Sequence, residues 1–418
     1  MATGDVGVSR SMTSLGFHRI KKSRSFFLPP QGEIPRSQSL GGEPLGWQEA
    51  PYPHPHKGRL GALVDFLLAV YREIPIIAPL ASRLIRLMGV GVKAYTMMWR
   101  LVLFALSMSP AITKAGIWWW RTKTISRGVR YGPNPRNFLD IYHAKDSTLE
   151  PDSVQSKHPV VFYVTGGAWI IGYKAWAAPL GEYLSKHGVM MIAMDYRNFP
   201  QGTLKDMIED VDTGLNWVYN NIERFGGDRE RILVVGQSAG AHILSSFMIK
   251  KACELVEEES AIMPLSAWTK FIGVSGPYDI VALAPMMHQR GLYSSMLRSI
   301  MDTDLFAASP ARQLKSLKRE SLDKLPSILL LHGTADLTVP FSHTVEFNAN
   351  LKKLGVETEL ELWPDVSHSE PLVEGPAGGH NLLGSRLVLE AIGEEGILNS
   401  EPLMNESMIR VAKFFMPF

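Results

Sequence analysis

The stretch Arg231–Ser246, RILVVGQSAGAHILSS, constrains this chain more than any other. RILVVG is a short apolar run of the kind that forms a buried strand, and Ala239 to Ala252 reads as a helix. Gly236-Gln237-Ser238-Ala239-Gly240 stands at the junction. Small residues two places either side of a serine let it occupy a tight strand-to-helix turn with its hydroxyl presented outward. A GxSxG string alone is common. Held between a strand and a helix, it marks Ser238 as a nucleophile.

Such a junction needs a sheet around it, and the sequence after Gly128 supplies one. GVRYGPNPRNFLDIYH predicts a hairpin turning at Gly132–Asn134. PVVFYVT, VMMIAMD, RILVVG, FIGVSG, SILLLHG and ETELELW read as strands. Leu204–Ile222 carries Met207, Val211, Leu215 and Val218 along one helical face. Further helices are expected near Thr344–Leu354, Leu382–Ile392 and Met404–Phe415. Strands alternating with helices predict an α/β domain over 127–418, with a mostly parallel sheet covered on both faces.

A serine hydroxyl needs a base to take its proton, and the base needs an acid to orient it. In this framework the acid and then the base follow the serine along the chain. LLLHGTADLTVP places Asp336 in a loop after one strand, and LELWPDVSHSE places His368 after the next. Asp365 is a nearer acid but belongs to the loop of His368. His332 and His242 read as structural histidines, and His380 in GPAGGH is a weaker rival base.

VVFYVTGGAWIIGY drives a core strand into Gly166-Gly167, bringing bare backbone close to some partner. Neither a phosphate-binding GxxxxGK[ST] nor a dinucleotide-binding GxGxxG is present there. With a nucleophile turn downstream, the amides of Gly166, Gly167 and Ala239 suit the oxygen of a tetrahedral intermediate. The expected target is a carbonyl.

TGGAWIIGYKAW, DYRNFPQGT, FGGD and GQSAGAH together resemble the plant isoprenylcysteine α-carbonyl methylesterases, a branch of the α/β-hydrolases, from about residue 84 to 418. General esterases of this class carry histidine before the glycine pair; Thr165 stands here instead. The resemblance implies an α/β-hydrolase fold with a small helical cap at about 280–312. It also implies the triad Ser238, Asp336 and His368 and an oxyanion loop at Gly166 and Gly167. The implied activity is hydrolysis of the methyl ester on prenylated protein C-termini, through an acyl-enzyme, with methanol released and no cofactor or metal. The EGPAGG loop after His368 departs from the family pattern. In the cap, Met286, Met287, Tyr293 and Met296 are suited to an irregular lipid chain, or they form only the hydrophobic face of a cap helix. Trp169 walls the acyl side of the pocket or packs the loop.

The front of the chain differs in kind. Residues 1–130 hold 18 Lys and Arg against 6 Asp and Glu, while the remainder holds 25 against 35. Residues 1–58 are rich in Ser, Gly and Pro, with Arg19, Lys21, Lys22 and Arg24 around Ser23 and Ser25; this composition reads as a disordered basic tail. MATGDVGVSR lacks an apolar signal-peptide core. Residues 59–126 are an apolar helical arm whose longest uncharged run, Leu101–Thr113, has 13 residues. A spanning helix needs about 20, so the arm is expected to form an interfacial or re-entrant membrane helix, or to dock on the globule. Trp118, Trp119 and Trp120 beside Arg121 and Lys123 suit the headgroup layer. Membrane lipid is the expected partner of this basic front, and no nucleic-acid pattern is present. Cys253, the sole cysteine, fits a reducing, cytosol-facing compartment, and the resemblance implies endoplasmic reticulum and Golgi membranes. Two rival readings stand: a membrane-associated carboxylesterase or lipase of other acyl esters, and a non-catalytic ligand-binding protein of the same fold.

Overall fold

The computed structural model describes residues 92–145, 157–257 and 263–416. The basic tail expected over 1–58 and the first part of the arm, 59–91, lie outside them. The strands are β1 (Ile125–Arg130), β2 (Phe138–Tyr142), β3 (His158–Val164), β4 (Met190–Met194), β5 (Gly227–Gln237), β6 (Trp268–Val274), β7 (Ile328–Gly333) and β8 (Thr358–Trp363). They form one sheet in the order β1-β2-β4-β3-β5-β6-β7-β8. β1 and β2 make the expected hairpin, with Arg130 opposite Phe138, and β2 runs antiparallel to β4. All later pairings are parallel.

Period-two alternation assigns each core strand a residue set for each face. Val160, Phe162 and Val164 pack with α4 (Leu204–Asn221), α5 (Ala239–Glu257), α6 (Ile280–Gln289), α7 (Ser294–Met301) and α8 (Phe341–Lys353) on one side. Val161 and Tyr163 pack with α3 (Ala178–Lys186) and α9 (Leu382–Ile392) on the other. Both sets are buried, which is why these strands read as unbroken apolar runs. Met207, Val211, Leu215 and Val218 are buried as their spacing requires.

The described end of the arm is a bent pair, α1 (Val92–Ser107) and α2 (Ser109–Arg121), meeting at 67° between Met98–Ser107 and α2. Pro110 sits in the first turn of α2, where its missing N–H costs nothing and continuation of α1 is disfavoured. Among the described residues no single helix is long and apolar enough to cross a membrane.

The pair is tied to the α/β unit. Phe104, Met108 and Ala111 share a cluster with Met404, Ile409 and Ala412, the last two on α10 (Glu406–Phe415). Arg100 donates to the carbonyls of Phe414 and Met416, and Lys114 to that of Leu403. The tryptophans expected as an interfacial anchor pack on the sheet instead. Trp119 Nε1 donates to buried Asp140 at 3.0 Å, and Trp118 stacks on Tyr142. A buried carboxylate and an aromatic face hold these indoles in the protein.

Candidate active site

Ser238 directly follows β5 with a φ of +52°, a conformation rarely adopted by residues with a side chain and here forced by the tight turn. A Cβ at Gly236 would lie 2.7 Å from the backbone of Ala241, and one at Gly240 would lie 2.1 Å from the carbonyl oxygen of Val164. The two glycines therefore let helix α5 start directly beneath β3 and β5. Ser238 N donates to Val274 O at 2.8 Å, fixing the turn to the neighbouring strand.

The loops after β7 and β8 deliver the other two groups. His368 Nε2 lies 2.9 Å from Ser238 Oγ, and His368 Nδ1 lies 2.7 Å from Asp336 Oδ2. Asp336 Oδ1 accepts from the amides of Thr338 and Val339 at 2.8 and 2.9 Å. Burial alone would raise the pKa of this carboxyl, but its contacts with His368 and His332 hold it well below the usual carboxylate range. The order hydroxyl, imidazole, carboxylate is that of a serine-nucleophile relay.

His332, read from the sequence as structural, touches the relay. Its Nε2 lies 2.9 Å from both Asp336 Oδ2 and Val339 O. Facing two acceptors, that nitrogen carries the hydrogen, and Nδ1 accepts from the Thr344 hydroxyl at 2.6 Å. His242 is buried and structural, as expected. It accepts from Trp169 Nε1 at 3.2 Å and donates from Nε2 to Ala308 O at 2.7 Å. Burial pushes its pKa down to about 4. Asp365 is exposed, with its amide donating to Thr334 Oγ1 at 2.9 Å, and exposed His380 bonds Asn399. Neither rival joins the relay.

The glycine pair lies against Ser238. A Cβ at Gly166 would come within 2.9 Å of Ser238 Cβ, and Gly167 has a φ of +120°. Among the described residues, none accepts a backbone hydrogen bond from the amides of Gly166, Gly167 or Ala239. Ala168 and Trp169 follow at φ +50° and +63°, strained values that the surroundings must impose. The DYRNFP segment imposes them, a role not read from the sequence. Tyr196 donates to Thr165 O at 3.1 Å, Asn198 to Gly172 O at 2.6 Å, and Phe199 N to Trp169 O at 2.8 Å. Asp195 accepts from Lys174 N at 2.7 Å.

A cavity of about 460 Å³ opens onto Ser238 and His368. Its long wall is the arm: Leu101, Phe104 and Met108 from α1, then Ile112, Gly116 and Trp119 from α2. Trp169, Ile171 and Trp176 face them. Ile112, Ile171 and Trp176 are 43%, 44% and 53% exposed, so they mark an apolar mouth.

Of the cap residues expected here, only Met287 reaches this cavity. Met296 is buried in the core under α7, Met286 packs against that core, and Tyr293 stands edge-on to His288. Those three do not line the cavity, because the apolar face of the cap is spent covering the sheet. Trp169 is buried and lines the cavity.

The BD-FAE family matches residues 139–351. The chain is 37% identical over 309 residues to the probable isoprenylcysteine alpha-carbonyl methylesterase ICME of Oryza sativa subsp. japonica, covering 73% of each. It is 34% identical over 358 residues to isoprenylcysteine alpha-carbonyl methylesterase ICME of Arabidopsis thaliana, covering 83% of this chain and 82% of the relative. Esterase B from Lactobacillus rhamnosis superposes with a TM-score of 0.53 at 16% identity, over 76% of this chain and 96% of that one. At that identity the likeness bears on the fold alone, which is the α/β-hydrolase fold. The chain belongs to the isoprenylcysteine alpha-carbonyl methylesterase family, a family of carboxylic ester hydrolases.

Proposed function

We propose that this protein removes the methyl group from C-terminal prenylcysteine methyl esters, with Ser238 as nucleophile. The observation that carries the reading is the apolar cavity ending at a hydroxyl, an imidazole and a carboxylate in hydrogen-bonded sequence. Ser238 Oγ attacks the ester carbonyl as His368 Nε2 takes its proton. The oxyanion is held by the amides of Gly166, Gly167 and Ala239. Collapse expels the methoxy group, which leaves as methanol with the proton from His368. Water then attacks the prenylcysteinyl ester of Ser238, gives a proton to His368, and releases the free acid and the serine. Asp336 stays ionised throughout and holds the imidazole.

Cavity size suits the lipid. An apolar cavity of about 150 Å³ takes benzene, so one near 460 Å³ holds a chain of roughly 15–20 carbons. The arm also suits a bilayer. While one face of α1 lines the cavity, Tyr95, Met98, Trp99 and Leu106 are exposed, and exposed Arg121 ends α2 with exposed Lys123 just beyond it. A helix apolar on both sides, with cations beside it, fits the surface of an anionic membrane. The proposed location is the cytosolic face of endoplasmic reticulum and Golgi membranes.

The test is active-site labelling by a fluorophosphonate, with and without excess S-farnesylcysteine methyl ester. Labelling that depends on Ser238 and is suppressed by the ester supports the reading. Labelling unaffected by the ester, but suppressed by a fatty acyl ester, would make the protein an esterase of other lipids.

A further inference from the structure

We infer that the arm, through Gly116, sets how long a lipid chain reaches Ser238. Glycine is among the poorest helix formers, so one inside a helix calls for a reason. Elsewhere in the fold the reason is visible: a positive φ, or backbone and side chains pressed too close for a Cβ. Among the described glycines, Gly116 alone has neither. A Cβ built there meets nothing within 4 Å, and its φ is not in the left-handed region. The space beside it is the cavity that contains Ser238. Ile112, one turn before, stands half-exposed at the mouth. The missing side chain is therefore room for a ligand, and any larger residue would project into it without straining the helix.

That the occupant is a prenyl chain rests on the proposed function; that Gly116 gauges its length does not. The experiment uses the full chain and its Gly116→Leu and Gly116→Trp variants. Specificity constants are measured for p-nitrophenyl acetate, p-nitrophenyl laurate and S-farnesylcysteine methyl ester. The long-to-short ratio is expected to fall about tenfold or more in both variants, since a pocket discriminates single methylenes by about 10–200-fold. Tyr293→Ala, in the cap and outside the cavity, is expected to leave the ratio within about twofold of wild type. Fluorophosphonate labelling reports a folded site; if the Trp variant is not labelled, the ratio is read from Gly116→Leu. A wild-type ratio in a labelled Gly116→Leu protein, or a ratio governed by Tyr293, would overturn the inference. If the wild type cleaves laurate but not the prenylcysteine ester, the proposed function fails, while the laurate-to-acetate ratio still decides the role of Gly116.

Discussion

His332 Nε2 lies 2.9 Å from Asp336 Oδ2, the same oxygen that His368 Nδ1 approaches to 2.7 Å. One carboxylate oxygen thus serves two imidazoles, and only one of them, His368, faces the Ser238 hydroxyl. Removing the hydrogen bond from His332 leaves Asp336 held by His368 and two backbone amides. A hydrogen bond to a charged group is worth about 1.5–3 kcal/mol. His332→Leu is therefore expected to lower kcat about 10- to 100-fold with KM little changed. His332→Gln, which can still donate, should recover much of the loss. Equal losses in both variants, or a loss in KM alone, would show His332 to be only a core residue.

Acid should destabilise the fold through histidines outside the relay. Burial pushes His143 and His242 down from 6.5 to about 4. Their folded-state pKa lies below the unfolded one, so the unfolded chain binds more protons between those values. The stabilisation is full above about pH 6.5 and is lost as pH falls toward 4, on the order of 3 kcal/mol per histidine. Urea denaturation at pH 7 and pH 4.5 measures this, and His143→Gln should flatten the dependence. A midpoint unchanged across that range would contradict it.

The end of the arm should depend on a buried charge. Asp140 accepts from Trp119 Nε1 and Gly128 N and pairs with buried Lys174 at 2.9 Å. Asp140→Leu breaks that buried ion pair, a loss expected to cost about 3–5 kcal/mol. Chemical denaturation should show it, with weakened protection of Trp119 from quenching. A change below about 1 kcal/mol would mean the pair is not what fixes α2.

Much of the site was legible because its chemistry needs special backbone. A serine at positive φ demands Gly236 and Gly240, and Asp336 and His368 stand where strands of a parallel sheet must end. The continuous apolar runs of β3 to β7 likewise follow from burial on both faces. The arm was less legible. Judged by run length, it suggested a membrane segment or a helix docked on the globule. Its three-and-four spacing, Leu101, Phe104, Ala105, Met108, Ile112, Ala115 and Trp119, held the further message of an inward face on a cavity. Of the cap methionines Met287 lines the cavity, while Met286 and Met296 serve the core, since their flexibility suits a protein core as well as a lipid. His332 reaches Asp336 only because the loop after β7 folds back on its own strand, which no residue pattern announced; the support that Tyr196 and Asn198 give the glycine loop depends on distant strand ends meeting.

The most direct measurement is methanol release from S-farnesylcysteine methyl ester by the full chain and by Ser238→Ala. Turnover by the wild type, falling at least about 10⁴-fold in the variant, is the expected result. Wild-type activity confined to p-nitrophenyl esters, or a variant as fast as the wild type, would contradict the account.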